Sequence, residues 1–225
     1  MVPSSKNSGV HDNMMKKAFA AAVLAAMTMS AQAGVLINEG FDNVASLAAS
    51  GWTFTNSSVP AGATTGWYQG SSNVFGAQSG DVTSYAAANY NNAGAGGTIN
   101  SWLITPEFDA SGGVDISFYL RAAGGGYADQ ISYGFYGTGA AMTTINPVPD
   151  SDWTLYSVHL DANSLGTTRF AFQYGGTYDS ANYVGLDSLT ISAADATGDV
   201  PEPASLALIA GGLLGLGAMR RRARR

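Results

Sequence analysis

Apolar and polar residues alternate with a period of two along several short stretches of the chain. Such alternation sends every second side chain to the same face and is typical of a β-strand buried on one side. The clearest examples are residues 114–120, 131–135, 156–160 and 170–174. Weaker patterns predict strands at residues 35–41, 52–55, 82–90, 98–104 and 184–192. No apolar stripe with helical spacing lies between residues 34 and 199, so the pattern predicts an all-β domain there.

The residues between these strands favour tight turns. Gly, Ser, Thr and Asn separate the aromatic residues, and every aromatic residue except Phe19 lies within residues 34–199. This stretch has about the length of one domain. The simplest way to bury one face of every strand is a single antiparallel sandwich of two sheets with roughly eight to twelve strands.

The N-terminal region, residues 1–33, has the order of parts found in a signal peptide. Met14-Met15-Lys16-Lys17 is followed by the uncharged residues 18–29 and then by Ala31-Gln32-Ala33. A basic start, an apolar helix and small residues before the cleavage point are what a signal peptidase requires. We therefore predict export, with cleavage between Ala33 and Gly34. Residues 1–13 precede a second plausible start at Met14 or Met15 and are interpreted as an upstream extension.

The C-terminal region, residues 200–225, has three parts in a fixed order. Pro201-Glu202-Pro203 precedes the uncharged residues 204–219, and five arginines close the chain: Arg220, Arg221, Arg222, Arg224 and Arg225. As a helix, residues 204–219 measure about 24 Å, which is short of the ~30 Å hydrocarbon core of a membrane. The arginines do not cross a bilayer cheaply, so they stay in the cytoplasm and leave Glu202 on the outer side.

These C-terminal residues resemble the PEP-CTERM sorting signal of Gram-negative bacteria. The resemblance implies that Pro201, Glu202 and Pro203 are recognised by an exosortase, a membrane-embedded cysteine protease or transpeptidase, while the arginines anchor the tail in the cytoplasm. It also implies that the protein is transiently held in the inner membrane. After cleavage of the tail it would reside at the cell surface or in the extracellular matrix.

Residues 35–192 carry a second resemblance, spread over several short motifs. The motifs are Asn38-Glu39-Gly40-Phe41-Asp42 with Gly51-Trp52, Ser101-Trp102-Leu103-Ile104-Thr105-Pro106, Ile116-Ser117-Phe118-Tyr119 and Val184-Gly185-Leu186-Asp187-Ser188-Leu189. In this order they are similar to the choice-of-anchor J and cleaved-adhesin group, whose members are jelly-roll sandwiches related to MAM domains. The resemblance implies a non-catalytic surface or matrix module, sometimes adhesive and sometimes bound to calcium.

The charge of the central domain excludes one class of partner. Residues 34–199 contain fourteen acidic side chains and two basic ones, Arg121 and Arg169, which gives a net charge of −12. Such a domain cannot neutralise phosphates, so nucleic acid is rejected as a partner. The chain has no cysteine, which excludes disulfides, thiolate nucleophiles and cysteine metal sites.

The sequence offers little support for catalysis. A Ser-His-Asp arrangement would depend on His159, which the alternation places on the solvated face of a strand. Gly-x-Ser-x-Gly and His-Glu-x-x-His motifs are absent. Two carboxylates facing a groove would suffice for glycoside hydrolysis, and the sequence leaves this alternative open. We expect no catalytic residues, with a small glycoside hydrolase as the least favoured alternative.

Calcium is the one cofactor for which the sequence provides ligands. An acidic domain supplies the oxygen atoms that calcium prefers. In jelly-roll modules resembling this one, the first and last strands lie close together, which implies that Glu39, Asp42 and Asp187 converge on a structural Ca²⁺ ion. Ordinary capping and turn roles for these carboxylates are the alternative.

Several aromatic residues near polar, Gly-rich loops are candidates for stacking on sugar rings. Trp67, Tyr68 and Tyr127 are selected from a wider set that also contains Tyr85, Tyr90 and Tyr178. Packing in the core or at the rim of the sandwich is the favoured alternative for these rings. We therefore expect an exported structural or adhesive protein of the cell surface or exopolysaccharide matrix, with a lectin-like carbohydrate-binding module as the alternative.

Overall fold

The computed structural model describes residues 34–162 and 165–194, and the strand pattern dominates them. The predicted signal helix, the sorting signal and the hydrophobic helix at residues 204–219 lie outside the described residues. Within the described part, no helix is long and apolar enough to cross a membrane. Three short 3₁₀ helices, Val44–Ser50, Tyr90–Asn92 and Tyr178–Ser180, interrupt the strands.

The described residues form fourteen strands in two six-stranded sheets and one two-stranded ladder, all with antiparallel pairing. The strands are β1 (Val35–Glu39), β2 (Thr53–Asn56), β3 (Val59–Ala61), β4 (Tyr68–Gln69), β5 (Ala86–Asn89), β6 (Ala93–Ile104), β7 (Phe108–Asp109), β8 (Val114–Ala122), β9 (Gln130–Phe135), β10 (Thr143–Ile145), β11 (Thr154–Leu160), β12 (Thr167–Thr168), β13 (Phe170–Thr177) and β14 (Tyr183–Ala193).

The first sheet has the order β11-β8-β14-β5-β4, with β1 paired to the second half of β14. The second sheet has the order β10-β9-β13-β6-β2, with β3 paired to β6. Strands β7 and β12 form the small ladder. The prediction of an all-β, antiparallel, jelly-roll-like sandwich is confirmed.

The main core lies between the two sheets and follows the predicted alternation. In β8 the inward side chains Val114, Ile116, Phe118 and Leu120 are fully buried, whereas the residues between them are at least partly exposed. The ring of Phe118 contacts rings from the opposite sheet, with centroid distances of 4.9 Å to Tyr133 and 4.8 Å to Phe172. Edge-to-face contacts of this kind add to the free energy gained by burying the rings.

The strand predicted at residues 82–90 is wrong at its N-terminal half. Residues 82–85 form turns in which Ser84 N donates to Asp81 O at 2.8 Å and Tyr85 N donates to Thr83 O at 2.8 Å. Strand β5 begins only at Ala86. The apolar side chain of Val82, which suggested a strand, is exposed on this turn.

The two ends of the domain lie side by side. Val35 is paired with Ser192, and Ala193 N donates to Gly34 O at 2.9 Å. Strand β14 then runs the length of the first sheet, because its pairing with β8 extends from Ala193 opposite Val114 to Val184 opposite Ala122. Eleven extended residues span about 30 Å. The loops at residues 123–129 and 178–182 therefore lie at the end of the sandwich opposite to Gly34 and Ala193.

Candidate functional site

An open pocket lies at this far end of the sandwich and is lined by three tyrosine rings. It has a volume of about 360 Å³ and is bordered by Tyr90, Tyr127, Tyr178, Asp179, Ala181 and Asn182. We call this group the tyrosine pocket. Its residues come from three separate connections: the link between β5 and β6, the loop between β8 and β9, and the link between β13 and β14.

The loop that carries Tyr127 depends on its glycines. Gly124, Gly125 and Gly126 have φ angles of 70°, 81° and 84°, which lie in the left-handed region that other residues rarely adopt. The chain therefore turns sharply after β8 and presents the Tyr127 ring to solvent, where 48% of the residue is exposed. At Ala128 the loop rejoins the fold, since Ala128 N donates to Ser180 O at 2.8 Å.

The other two rings are held against each other and against the loops. The rings of Tyr90 and Tyr178 meet edge to face at a centroid distance of 5.1 Å. Tyr90 N donates to Asn182 O at 3.0 Å, which joins the β5–β6 connection to the β13–β14 connection. Backbone hydrogen bonds thus position the tyrosine rings and leave ring surface available to a ligand.

Asp129 supports the pocket from inside the protein. Its buried carboxylate accepts hydrogen bonds from Tyr174 Oη and Asn182 N, each at 2.7 Å, and from Tyr183 N at 3.4 Å. Burial raises the pKa of Asp129, and these three hydrogen bonds partly offset the rise. Asn182 Nδ2 also donates to Gly124 O at 3.2 Å, so Asn182 is fixed to both sides of the pocket.

The pocket combines apolar ring surface with polar atoms. Its rings offer flat apolar faces together with phenolic oxygens, while Asn182 and Asp179 add polar atoms at the border. Its volume is near the lower limit of the ~300–1,000 Å³ range of small-molecule sites. Hydrogen bonds join the three connections that border the pocket to one another.

Of the three selected stacking residues, the structure brings only Tyr127 to this pocket. Trp67 is 6% exposed within the main core, and its Nε1 donates to Ser101 O at 3.4 Å. The structure corrects the stacking prediction for Trp67, because a ring packed between sheets cannot contact a sugar. Tyr68 is partly buried and meets Tyr183 edge to face at 6.3 Å.

Tyr90 and Tyr178, named in the wider set, do belong to the pocket. Sequence reasoning missed Asp129 and Asn182, which come together from separate loops. The run Gly124–Gly126 was the available signal for an exposed loop near Asp129.

A second group of aromatic rings covers the outer face of the first sheet. Phe75, Tyr85, Trp153 and Tyr183 form this closed cluster, with centroid distances of 5.1 Å between Phe75 and Tyr85 and 5.5 Å between Tyr85 and Trp153. Tyr85 is fully buried, and its Oη both accepts from Ser71 N at 2.9 Å and donates to Ser71 O at 2.8 Å. The rings of Phe75, Tyr85 and Tyr183 are buried in this closed cluster, whereas Trp153 is partly exposed.

The predicted calcium ligands Glu39 and Asp187 make hydrogen bonds within the protein. Glu39 Oε1 accepts from Phe41 N at 2.7 Å, and Asp187 Oδ1 accepts from Ser188 N at 2.6 Å. Phe41 and Ser188 have φ angles of 55° and 51°, so each carboxylate stabilises a residue in an unfavourable backbone conformation. Burial raises the pKa of Glu39 and of Asp187, and backbone hydrogen bonds oppose both shifts.

Asp42 lies in the same region as the other two predicted ligands. Its charge adds to the rise in the pKa of Glu39, and its Oδ1 lies beside Gly80. Ser79, the neighbour of Gly80, donates its N–H to Asp187 Oδ2 at 3.2 Å. Across residues 34–162 and 165–194, however, no three His, Cys, Asp or Glu side chains are grouped closely enough to hold a metal ion. Calcium binding stays a prediction.

His159 lies on the solvated face of β11, as the alternation indicates. Its Nδ1 is 2.6 Å from Asp115 Oδ1 and its Nε2 is 3.1 Å from Asp161 Oδ1. The hydrogen bond to Asp115 raises the pKa of His159 most, and the hydrogen bond to Asp161 raises it further. With a carboxylate on each ring nitrogen, neither nitrogen is positioned to take a proton from a serine.

Comparison with protein families matches residues 199–222 to the PEP-CTERM protein-sorting motif. The predicted sorting signal is therefore confirmed, and the motif implies export with a C-terminal membrane anchor before cleavage. A comparison with curated protein sequences gives no match.

Comparison with solved structures finds cleaved adhesin domains of Lys-gingipain from Porphyromonas gingivalis W83. The K1 domain has 21% identity and a TM-score of 0.53, covering 72% of this chain and 100% of that domain. The K3 domain has 17% identity and a TM-score of 0.51, covering 71% of this chain and 99% of that domain. These likenesses show a shared fold, which confirms the predicted cleaved-adhesin architecture.

A more distant likeness is to the family 11 carbohydrate-binding module from Clostridium thermocellum, solved with a β-1,3-1,4-mixed-linked tetrasaccharide. It has 13% identity and a TM-score of 0.43, covering 72% of this chain and 96% of that module.

Proposed function

We propose that this chain is an exported, non-catalytic adhesive protein whose tail is cleaved by an exosortase after a signal peptidase removes the N-terminal segment. The observation that carries this proposal is the PEP-CTERM sorting motif at residues 199–222, which follows a domain with the cleaved-adhesin fold. The inner membrane holds the protein before cleavage. The mature protein then acts at the surface, or in the exopolysaccharide matrix, of a Gram-negative bacterium.

Mass spectrometry of the mature C-terminus from the native host tests the processing step. Wild-type protein outside the cell should lack Arg225, whereas the Glu202→Ala variant should keep Arg225 and remain in the membrane fraction. Asp195→Asn, which changes a carboxylate just before the motif, serves as the control and should be processed normally. Recovery of intact wild-type protein outside the cell with Arg225 still present would contradict the proposal.

A carbohydrate is our proposed ligand for the adhesive contact, and the tyrosine pocket is the observation that favours it. Mature protein should bind a polysaccharide in a screen, and Tyr127→Ala should weaken that binding about tenfold, equivalent to ~1.4 kcal/mol. Tyr136→Ala is a matched control, because Tyr136 is 47% exposed but lies outside the pocket. Equal loss in both variants would argue against the pocket as the binding site.

Glycoside hydrolysis is the remaining alternative to a non-catalytic role. The bonding of His159 to two carboxylates argues against a Ser-His-Asp hydrolase, whereas glycoside hydrolysis would need only two carboxylates facing a groove. Incubation of the mature protein with any polysaccharide that it binds should release no reducing sugar. Release that disappears on substitution of one carboxylate would establish an enzyme instead.

Structural calcium at Glu39, Asp42 and Asp187 is a separate proposal, supported by the effect of the Asp42 charge on Glu39 and by the position of Asp42 and Asp187 beside the same segment, Ser79-Gly80. Calcium should raise the melting temperature of the wild-type protein, and Asp42→Asn should reduce that rise. Identical melting of the wild type with calcium and with a chelator would exclude the ion.

A further inference from the structure

The tyrosine pocket contains a carboxylate and has no neighbouring base. Asp179 is exposed at its border, and no hydrogen bond or ion pair of the Asp179 side chain is found among the described residues. The buried carboxylate of Asp129 lies below, bonded to the backbone of Asn182. The exposed carboxylate of Asp179 favours a ligand that carries positive charge.

The two arginines of residues 34–199 are engaged elsewhere. The guanidinium of Arg121 lies 4.8 Å from the Phe75 ring centroid, over the closed cluster, and 4.0 Å from Asp152. Arg169 lies 3.7 Å from Glu107 and donates to Thr53 Oγ1 at 3.2 Å. The lysines of the chain all precede residue 34. A carboxylate on a ligand would therefore find no cation at the pocket and would be repelled by a domain of net charge −12.

The tyrosine rings add a second attraction for a cation. The face of an aromatic ring carries partial negative charge, so an ammonium group over it gains up to about 1 kcal/mol at an exposed site. The rings of Tyr90 and Tyr178 are fixed edge to face, and Tyr127 is exposed beside them. An ammonium group is attracted by the faces of the tyrosine rings and by the charge of Asp179. The apolar side of a sugar can in addition stack on a tyrosine ring.

We propose that the tyrosine pocket binds a sugar with a free amino group, of the glucosamine type, in preference to neutral or acidic sugars. This inference rests on the proposed carbohydrate-binding function and specifies its ligand class. The sugar would stack on Tyr127, and its ammonium would lie near Asp179. The pocket volume of about 360 Å³ suits about one or two sugar rings of a polymer that continues into solvent.

The test compares three oligosaccharides of equal length on mature protein isolated from its host. They are a β-1,4-linked glucosamine oligomer, its fully N-acetylated form, and an oligomer of galacturonic acid. Acetylation removes the positive charge and leaves the sugar ring in place, so it isolates the contribution of the amine. Calorimetry should give at least tenfold tighter binding of the glucosamine oligomer than of the acetylated form, and no measurable binding of the acidic one.

Two substitutions separate a local effect of Asp179 from the general acidity of the domain. Asp179→Asn should lower the affinity for the glucosamine oligomer by a much larger factor than the affinity for the acetylated oligomer, and so remove most of the preference for the amine. Asp81→Asn removes the same charge at an exposed position outside the pocket and should keep the preference. If both variants lose the preference equally, overall charge explains it and the inference fails.

Other outcomes distinguish this inference from the function on which it rests. Tyr127-dependent binding of the acetylated oligomer with equal or higher affinity would overturn the amino-sugar preference and preserve carbohydrate binding. Equal binding of a lysine homopolymer would show that the pocket recognises ammonium groups without the sugar, which also overturns the inference. If no polysaccharide binds through Tyr127, the proposed carbohydrate binding itself is wrong.

Discussion

The closed cluster and the tyrosine pocket use the same residue type for opposite purposes. In the closed cluster, Tyr85 is fully buried and its hydroxyl is bonded to Ser71. In the tyrosine pocket, Tyr127 has about half of its surface in solvent, and the backbone around it makes the hydrogen bonds that fix the loop. A buried tyrosine whose hydroxyl is hydrogen-bonded within the protein stabilises the fold. A tyrosine whose loop is fixed by backbone hydrogen bonds leaves its ring face and its hydroxyl available to a ligand.

Glycines explain how the two regions diverge. At Gly185, an added Cβ would lie 2.7 Å from Trp153, 2.9 Å from Phe75 and 3.0 Å from Tyr85, so the closed cluster packs directly on the bare backbone of β14. At Gly125 and Gly126 an added Cβ would have no atom as close as this, and these glycines are required instead for the positive φ angles of the loop. We therefore expect the two regions to respond differently to substitution.

The largest effect is expected for Tyr85→Ala. Removing this buried ring leaves a cavity beneath Phe75 and Trp153 and should lower the free energy of unfolding by about 3–5 kcal/mol. Urea denaturation followed by tryptophan fluorescence measures the change. A loss below about 1 kcal/mol would show that the closed cluster does not stabilise the fold.

Gly185→Ala should produce the next largest loss. The new methyl group would meet three rings at once, and overpacking of this kind costs about 1–3 kcal/mol. Gly126→Ala is a comparison for strain without crowding, because its φ of 84° is unfavourable to alanine while no atom lies within 4 Å of the added Cβ. Thermal unfolding of both variants should rank Gly185→Ala as the less stable.

Asp129, which lies between the tyrosine pocket and the core, should make the free energy of unfolding depend on pH. Its pKa in the folded state is raised above the ordinary value of 3.8, so the protonated form is favoured by folding. The resulting stability is complete below pH 3.8 and is lost as the pH rises through the raised pKa.

The Asp129→Asn variant isolates this contribution. The difference in free energy of unfolding between the wild type and the variant should change in favour of the variant as the pH rises through the folded-state pKa of Asp129. A difference that is constant with pH would contradict the raised pKa.

The smallest effect on stability is expected for Tyr127→Ala. The ring is exposed, so its removal should change the free energy of unfolding by no more than about 0.5 kcal/mol. Combined with the expected loss of carbohydrate binding, this result would separate the function of the two tyrosine groups. A destabilisation as large as that of Tyr85→Ala would remove the distinction between them.

Alternation predicted the strands that are long enough to show it. Strand β8 buries the side chains that the pattern assigned to the inner face, and β11 partly buries its own against the same core. Strands β4, β7 and β12 have two residues each, too few to display a period, and only tertiary pairing defines them. Residues 82–85 form a turn in place of the predicted strand, and in that turn Val82 is exposed while Tyr85 is buried.

The site was harder to predict because it forms from distant parts of the chain. The hydrogen bond from Asn182 N to Asp129 joins residues 53 positions apart, and no local pattern indicates that contact. Tyr127 was recognised from its glycine-rich surroundings, but the same reasoning selected Trp67, which the fold buries. Exposure of an aromatic ring depends on which strand covers it, and that information appears only at the level of sheet packing.

The pairing of the first and last strands of the domain, β1 and β14, has a mechanical consequence. Eight residue steps separate Ala193, the last residue of β14, from Pro201, so the attachment to the sorting motif lies within about 29 Å of chain from the end of β14. A polymer pulling on the pocket would transmit tension along β14 toward that attachment. The hydrogen bonds of β14 to β1 and β8 run across the line of force and would be loaded together in shear, so the sandwich should resist extension better than a domain peeled open one bond at a time.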